Sequence, residues 1–318
     1  MSRQAIKNSL PILTPYAVNI SHIIINKLKE DLNIESCTLG SLGKKLDYEE
    51  SGDIDIAINY DFSKNNCDTI ISFIKKNFSN YKDPEIYISS GFKIISFGYY
   101  YLNYDKFNPE IFNSENNIIE SINYDINDIE QLLQIVQVDL MFSNNLEYTK
   151  FMYHSPNYRN LESEFKGLYR TNLLTYIAGR KPVDKLDIYD KNNNLTDYWK
   201  YTLTYDKGLM LTHKSYKGKR GLLKKSYTVK EDTKFITDDI NEIIKLILGN
   251  NGTIDDTNSF ESLIKFIFSD NYCYQYKLKD IISDFINDPR HNNEKILNYI
   301  LNIYKEKFGI LTILNKII

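Results

Sequence analysis

Asp53 and Asp55 stand two residues apart in the run Asp-Ile-Asp-Ile-Ala-Ile-Asn, where Ile54, Ile56 and Ile58 alternate with Asp53, Asp55, Ala57 and Asn59. Period two is the signature of a strand with two unlike faces. Residues i and i+2 project to the same face, so the two carboxylates lie side by side. Anions that close repel, and one of them must hold its proton unless a cation sits between them. A third acid, Asp139, interrupts the apolar run Ile-Val-Gln-Val-Asp-Leu-Met-Phe over 135–142, which reads as a buried strand. A lone carboxylate there is costly to bury without a partner. Three carboxylates on neighbouring strands form an oxygen donor set for a hard divalent ion such as Mg²⁺, which completes its shell with substrate phosphate and water. Upstream, Gly40 and Ser41 close a short strand expected over 35–39, and a polar loop with Gly43, Lys44 and Lys45 leads towards Asp53.

The elements that must position these groups follow from periodicity. Ile20, Ile24 and Leu28 recur at four-residue spacing, with Thr14 as the candidate cap and Pro15 at the first helical position, so 15–31 is expected to be a helix. Residues 66–78 suit a second helix. Residues 85–89 and 93–102 suit two strands joined by a turn at Ser90–Gly91. The stretch 103–124 is polar and irregular, as in a surface insertion, and 125–133 suits a short helix. This order implies an α+β fold, a mixed sheet with helices on one face. Beyond 160 a helical pattern runs to 180, and strand-like stretches occupy 198–230. After Thr237 four amphipathic stripes follow: Ile240/Ile243/Ile244/Ile247, Phe260/Leu263/Ile264/Ile267, Leu278/Ile281/Ile282/Phe285 and Ile296/Ile300/Ile303/Tyr304. A mainly helical C-terminal region is expected.

A Gly-Ser turn, a loop, a two-aspartate strand and a later single aspartate in an apolar strand resemble the DNA polymerase β-like nucleotidyltransferase superfamily, over about residues 35–145. The segments KGLYRTNLLTYIAG and DTNSFESL are similar to uncharacterised nucleotidyltransferases encoded by bacteriophages. The resemblance implies a polymerase β-like core, with Gly40 and Ser41 holding the β- and γ-phosphates through an anion nest. It implies Asp53 and Asp55 on two Mg²⁺ ions, with Mn²⁺ as a substitute. Asp139 would bind only the catalytic ion and help deprotonate the attacking hydroxyl. The reaction would be transfer of a nucleoside monophosphate from an NTP such as ATP to an acceptor hydroxyl, with pyrophosphate leaving. One departure is Gly52, where the family commonly has Ser directly before the first Asp; Ser51 stands one step earlier.

Other cations offer secondary sites. Lys44 and Lys45 suit either a triphosphate or a solvated loop. Lys166 and Arg170, four apart on an expected helix, share a face. They suit triphosphate binding, as the superfamily's following helix often provides, or ion pairs with Glu162 or Glu164. Lys214, Lys217, Lys219, Arg220, Lys224 and Lys225 crowd a stretch without acids, with Gly218 and Gly221 marking a hairpin tip and Tyr216 and Tyr227 nearby. Such a patch could hold an RNA backbone, notably tRNA, or be a solvated loop. His154 reads as a turn histidine or a substrate contact, and Tyr169 as core or a base-stacking ring.

Composition removes several classes. No apolar run approaches the roughly 20 residues that cross a bilayer. Cys37, Cys67 and Cys273 are far apart with no CxxC spacing, which fits a reducing, cytoplasmic setting (host cytoplasm if the gene is viral) and argues against a Cys-based zinc site. The formal charge of -3 requires any polynucleotide to be held by a local patch. The abundance of Asn, Ile, Lys and Tyr reflects an A/T-rich genome, viral or bacterial. The expected organisation is a catalytic domain over 1–150, a helical and β segment over 151–235 completing the nucleotide and acceptor site, and a helical domain over 236–318. The alternatives are a toxin-like transferase acting on host tRNA or protein, and a catalytically inactive nucleic-acid-binding scaffold on the same fold.

Overall fold

A computed structural model describes residues 5–40, 42, 45, 48–79, 81–102, 133–155, 158, 162–183, 188–189, 195–220, 225–291 and 293–308. The chain divides into two compact units, Met1–Leu146 and Glu147–Ile318.

The described elements of the first unit are β1 (Ile12–Leu13), α1 (Thr14–Leu32), β2 (Ser36–Thr38), β3 (Glu50–Ser51), β4 (Asp53–Asn59), α2 (Lys64–Phe78), β5 (Ile86–Ser89), β6 (Ile94–Leu102) and β7 (Leu133–Ser143). Five strands form one mixed sheet in the order β2-β4-β7-β6-β5, with β4 and β7 parallel and every other pair antiparallel. Alternation decides which face is dry. Ile54, Ile56 and Ile58 of β4, Val136, Val138, Leu140 and Phe142 of β7, and Ile95 and Phe97 of β6 join one buried cluster. Ala17, Ile20, Ile24 and Leu28 of α1 and Ile70, Phe73, Ile74 and Phe78 of α2 belong to the same cluster. Two helices thus cover one face, and the other carries Asp53, Asp55, Gln137 and Asp139.

Local chemistry sets the helix ends. Ser63 caps α2, its hydroxyl accepting from the Asn66 N–H at 3.3 Å. Thr14 does not cap α1 as its position suggested. The helix begins one residue earlier, and the Thr14 N–H and hydroxyl both donate to the Glu49 carbonyl, at 2.9 and 2.8 Å, tying the helix start to the residue before β3. The expected insertion at 103–124 and helix over 125–132 lie outside the described residues, and Leu133 belongs to β7.

In the second unit come α3 (Leu146–Met152, whose first residue belongs to the first unit), α4 (Gly167–Arg180), β8 (Ile188–Tyr189), β9 (Leu195–Thr204), β10 (Gly208–Arg220), β11 (Lys225–Thr237), α5 (Ile240–Leu248), α6 (Phe260–Phe268), α7 (Leu278–Ile286) and α8 (Glu294–Phe308). Strands β8 to β11 make an antiparallel meander. The four helices after Thr237 match the four apolar stripes, with Ile243, Ile247, Leu263, Ile281, Phe285 and Ile300 buried. Asp239 and Ser259 cap α5 and α6 by accepting the N–H groups of Glu242 and Ser262. These helices, α4 and the β9–β10 pair share one core through Leu173, Leu174, Ile177, Leu203 and Leu209. The stretches 151–235 and 236–318 therefore bury a common apolar cluster. Among the described residues no helix is long and apolar enough to cross a membrane.

Candidate metal centre

Strand register builds the centre. On β4, Asp53 and Asp55 share a face. In the parallel pairing with β7, Asp55 lies opposite Asp139 and Asp53 opposite Gln137. On the far side of β7, Ser96 of β6 lies opposite Asp139. One carboxylate oxygen from each of Asp53, Asp55 and Asp139 lies within 4.8 Å of the other two. Neither strand is an edge: β4 is the second of five and β7 the third. Asp53 and Asp55 are half-buried and Asp139 is only 4% exposed. Solvated surface carboxylates on an edge strand would show neither feature.

The electrostatics follow. Burial, then the charge of Asp53, then that of Asp139, hold the Asp55 carboxyl well above its ordinary range. Burial also raises Asp139. A hydrogen bond from the Ser96 hydroxyl opposes that rise, the Asp53 charge adds to it, and the Gln137 amide opposes it again. The Gln137 Nε2 donates to both oxygens of Asp139, at 3.0 and 3.2 Å. Three carboxylates this close cannot all ionise without a counter-charge. The donor set fits a divalent cation: it is all oxygen, and an ion about 2.0–2.6 Å from each of several oxygens keeps them within about 4–5 Å of one another.

Gly40 closes one side. Its φ of 66° is left-handed, and a Cβ built there would stand 3.1 Å from Asp55 Oδ2. Glycine is required both for that conformation and for backbone this close to the carboxylate. The Leu39 N–H, donating to the Asp55 carbonyl at 2.9 Å, fixes the approach.

The other expected site residues fare differently. Ser41 and Lys44 lie outside the described residues. Lys45 donates its ammonium to the Glu50 carbonyl. Lys166 is exposed and sits at the cap of α4 in extended backbone, before the first turn, so it shares no helical face with Arg170. Arg170 is a correction. It is wholly buried, with Nε and Nη2 donating to the carbonyl and hydroxyl of Thr257, at 2.6 and 3.3 Å, and Nη1 to the Phe151 carbonyl at 2.9 Å. Its guanidinium lies 4.1 Å from the Phe151 ring centroid. Every donor nitrogen is committed to the core, and none is left for a triphosphate or for the carboxylates of Glu162 or Glu164.

His154 is buried, its Nε2 2.9 Å from the Asn258 carbonyl, in the structural role one of its readings gave it. Tyr169 packs against Phe260 and His291. In the basic stretch, Gly218 is not a tip: it lies within β10, at a register irregularity between Tyr216 and Lys219. The β10–β11 pairing continues to Arg220 opposite Lys225. By backbone position Lys214, Lys217, Lys219 and Arg220 lie on β10 and Lys225 on β11, while Gly221 and Lys224 lie outside the described residues.

Two site residues escaped the sequence reading. Gln137 carried a usable signal: it is the other polar residue in the apolar strand, two before Asp139, and so must share its face. Ser96 carried none, because strand pairing alone brings it to Asp139.

No family model and no curated protein matches the chain. Among solved structures it is similar to polymerase beta of Leishmania infantum in a ternary P/T complex, with 10% sequence identity and a TM-score of 0.32, over 54% of this chain and 56% of that one. The chain thus spans about half the length of that structure.

Proposed function

We propose that this protein transfers a nucleoside monophosphate from an NTP to an acceptor hydroxyl, with divalent magnesium or manganese held by Asp53, Asp55 and Asp139. The observation that carries this reading is the convergence of those three carboxylates beside Gly40. Bound there, the ions would stabilise the attacking and leaving oxygens of an in-line displacement at the α-phosphorus. The chain's own groups do the rest. Asp53 and Asp55, half-buried, would hold the ions on the face where the nucleotide's phosphates bind. Asp139, the most buried of the three, helps take the proton of the attacking hydroxyl as the new P–O bond forms and pyrophosphate leaves. Gly40 and Ser41 supply phosphate contacts. Lys166 and Lys44 are candidates for further ones. The acceptor we favour is RNA, held by the cations at 214–225, because they stand without acids in a chain of net negative charge.

The test is incubation with each α-labelled NTP and Mg²⁺ or Mn²⁺, offering total RNA, protein extract or small alcohols. Transfer of label with release of pyrophosphate is expected, falling about a thousand-fold in Asp53→Ala and Asp55→Ala, the several kcal/mol that a lost metal site costs. Label on tRNA or protein of a host extract would mark the toxin-like version. Absence of transfer with every acceptor and metal would reduce the protein to a binding scaffold.

A further inference from the structure

The segment from Ala5 to Leu13 contributes no carboxylate, yet it is fastened beside both strands that do. At one end the Gln137 Oε1 accepts the N–H groups of Ala5 and Ile6, at 2.8 and 3.2 Å. The same amide donates through Nε2 to both oxygens of Asp139. Two backbone donors on one side and a carboxylate on the other leave the oxygen and nitrogen of this amide only one arrangement. With the Gln137 amide on both oxygens and the Ser96 hydroxyl on the carboxylate, Asp139 still keeps lone-pair capacity for an ion.

Along its length the segment is seated, not draped. Ile6 is fully buried over Gly98, where a Cβ would stand 3.2 Å from Ile6 Cγ2 and 2.4 Å from Ile135 Cδ1. The Leu10 N–H donates to the Ile135 carbonyl at 2.8 Å. At the other end Ile12 and Leu13 pair with Ser51 and Glu50, just before Asp53. The segment is therefore pinned at the residue two before Asp139 and at the residue two before Asp53.

We infer that Ala5–Leu13 is a strap that presets the metal centre, with Gln137 as the positioning residue that transmits it to Asp139. This rests on reading the three aspartates as metal ligands. Three mutually repelling carboxylates tend to splay when no ion is bound. An amide that grips both oxygens of the third one, and is itself held by two N–H groups of a packed segment, keeps that ligand aimed. Partners of this kind beyond the ligands typically govern affinity by about 10- to 100-fold. Coupling is reciprocal, so an ion must tighten the strap by the factor the strap adds to its binding.

The experiment uses the full chain, Mn²⁺ titration followed by the electron paramagnetic resonance signal of the free ion, and amide exchange read by mass spectrometry. Gln137→Leu removes the link. Ala5→Pro deletes one strap N–H and leaves every side chain of the centre in place. Leu10→Ala, an exposed strap residue without a bond to Gln137, is the control. Expected are Mn²⁺ affinities lowered about tenfold or more in Gln137→Leu and Ala5→Pro, unchanged affinity in Leu10→Ala, and slower exchange over residues 5–10 of the wild type when Mn²⁺ is added. If Gln137→Leu fails to fold, Ala5→Pro and the exchange data decide. Wild-type affinity in a folded Ala5→Pro, with strap exchange indifferent to Mn²⁺, overturns the strap and leaves the metal centre standing. A wild type that binds no Mn²⁺ overturns the metal centre itself, and the strap with it.

Discussion

Replacing Asp55 by asparagine should stabilise the metal-free protein. At separations within 4.8 Å and an effective dielectric of about 20, two unit charges repel by roughly 3.5 kcal/mol or more. Asp55 faces two such neighbours. The folded chain evades that cost by keeping a proton on Asp55, whose carboxyl is held well above its ordinary 3.8 by burial, Asp53 and Asp139. Between 3.8 and the raised value the native state binds a proton that the unfolded state has released, so stability falls as pH rises through that window. The fall is at most about 1.4 kcal/mol per pH unit and levels off above the folded value. Below 3.8 the penalty is absent. Asparagine keeps the shape and cannot ionise. Asp55→Asn should therefore gain about 2 kcal/mol over the wild type at pH 8 in a chelator, and less at pH 5. Urea unfolding at the two pH values measures it, and the difference between the proteins cancels groups such as Asp31 and Glu147, whose lowered values act in the opposite sense. Saturating Mn²⁺ should reverse the order, since an ion at a hundred times its Kd adds about 2.7 kcal/mol to the protein that binds it. A variant no more stable than wild type at pH 8, or a gap that fails to widen between pH 5 and pH 8, refutes the reasoning.

Three further substitutions separate roles. Gly40→Ala forces an L-residue to a φ of 66° and sets a methyl 3.1 Å from Asp55 Oδ2; a loss of about 1–2 kcal/mol in urea unfolding and weaker Mn²⁺ binding are expected, and wild-type values in both would remove Gly40 from the centre. Arg170→Met strands the carbonyls of Phe151 and Thr257 in the core, so unfolding free energy should drop by about 3–5 kcal/mol; a normal transition with a raised KM for NTP would restore Arg170 to nucleotide binding. Lys166→Ala, at an exposed position, should leave stability within about 0.5 kcal/mol while raising the NTP KM about tenfold at constant kcat, as loss of uniform binding does; steady-state kinetics with an unchanged KM would exclude it.

What could be read from the sequence was whatever one element determines alone. The stripes of α5 to α8 and the alternation of Ile54, Ile56 and Ile58 are properties of a single helix or strand, and each reappears in the buried cores. The pairing of Asp55 with Asp139 needed one more step, an acid with no local reason to be where it is. Misreadings arose where the answer depended on a distant partner. Lys166 and Arg170 share a face only if both are helical, and α4 starts between them. Thr14 looks like a cap until the Glu49 carbonyl takes its hydroxyl. Arg170 looks like a surface cation until Thr257 and Phe151 enclose it. Residues 5–13, a short apolar patch interrupted by Lys7–Ser9 and Pro11, carry no periodicity, so their attachment to Gln137 was invisible.

The two faces of β4 and β7 explain why this sheet tolerates its acids. Desolvating carboxylates in the interior costs several kcal/mol per ion. Here the opposite face of the same strands carries an unbroken apolar layer, with Ile54, Ile56, Val138 and Leu140 each 0% exposed against α1 and α2. Parallel register then decides what the costly face can do. A slip of one residue between β4 and β7 would bring Val138 or Leu140 opposite Asp55 and scatter the cluster. The register Asp53–Gln137, Asp55–Asp139 instead stacks three acids and one amide, and the amide is the member that reaches outside the sheet to the Ala5 and Ile6 N–H groups. An apolar residue at 137 would leave the Ala5 and Ile6 N–H groups and the Asp139 oxygens without this partner. A buried glutamine is explained by the work its amide does, holding Asp139 on one side and the strap on the other.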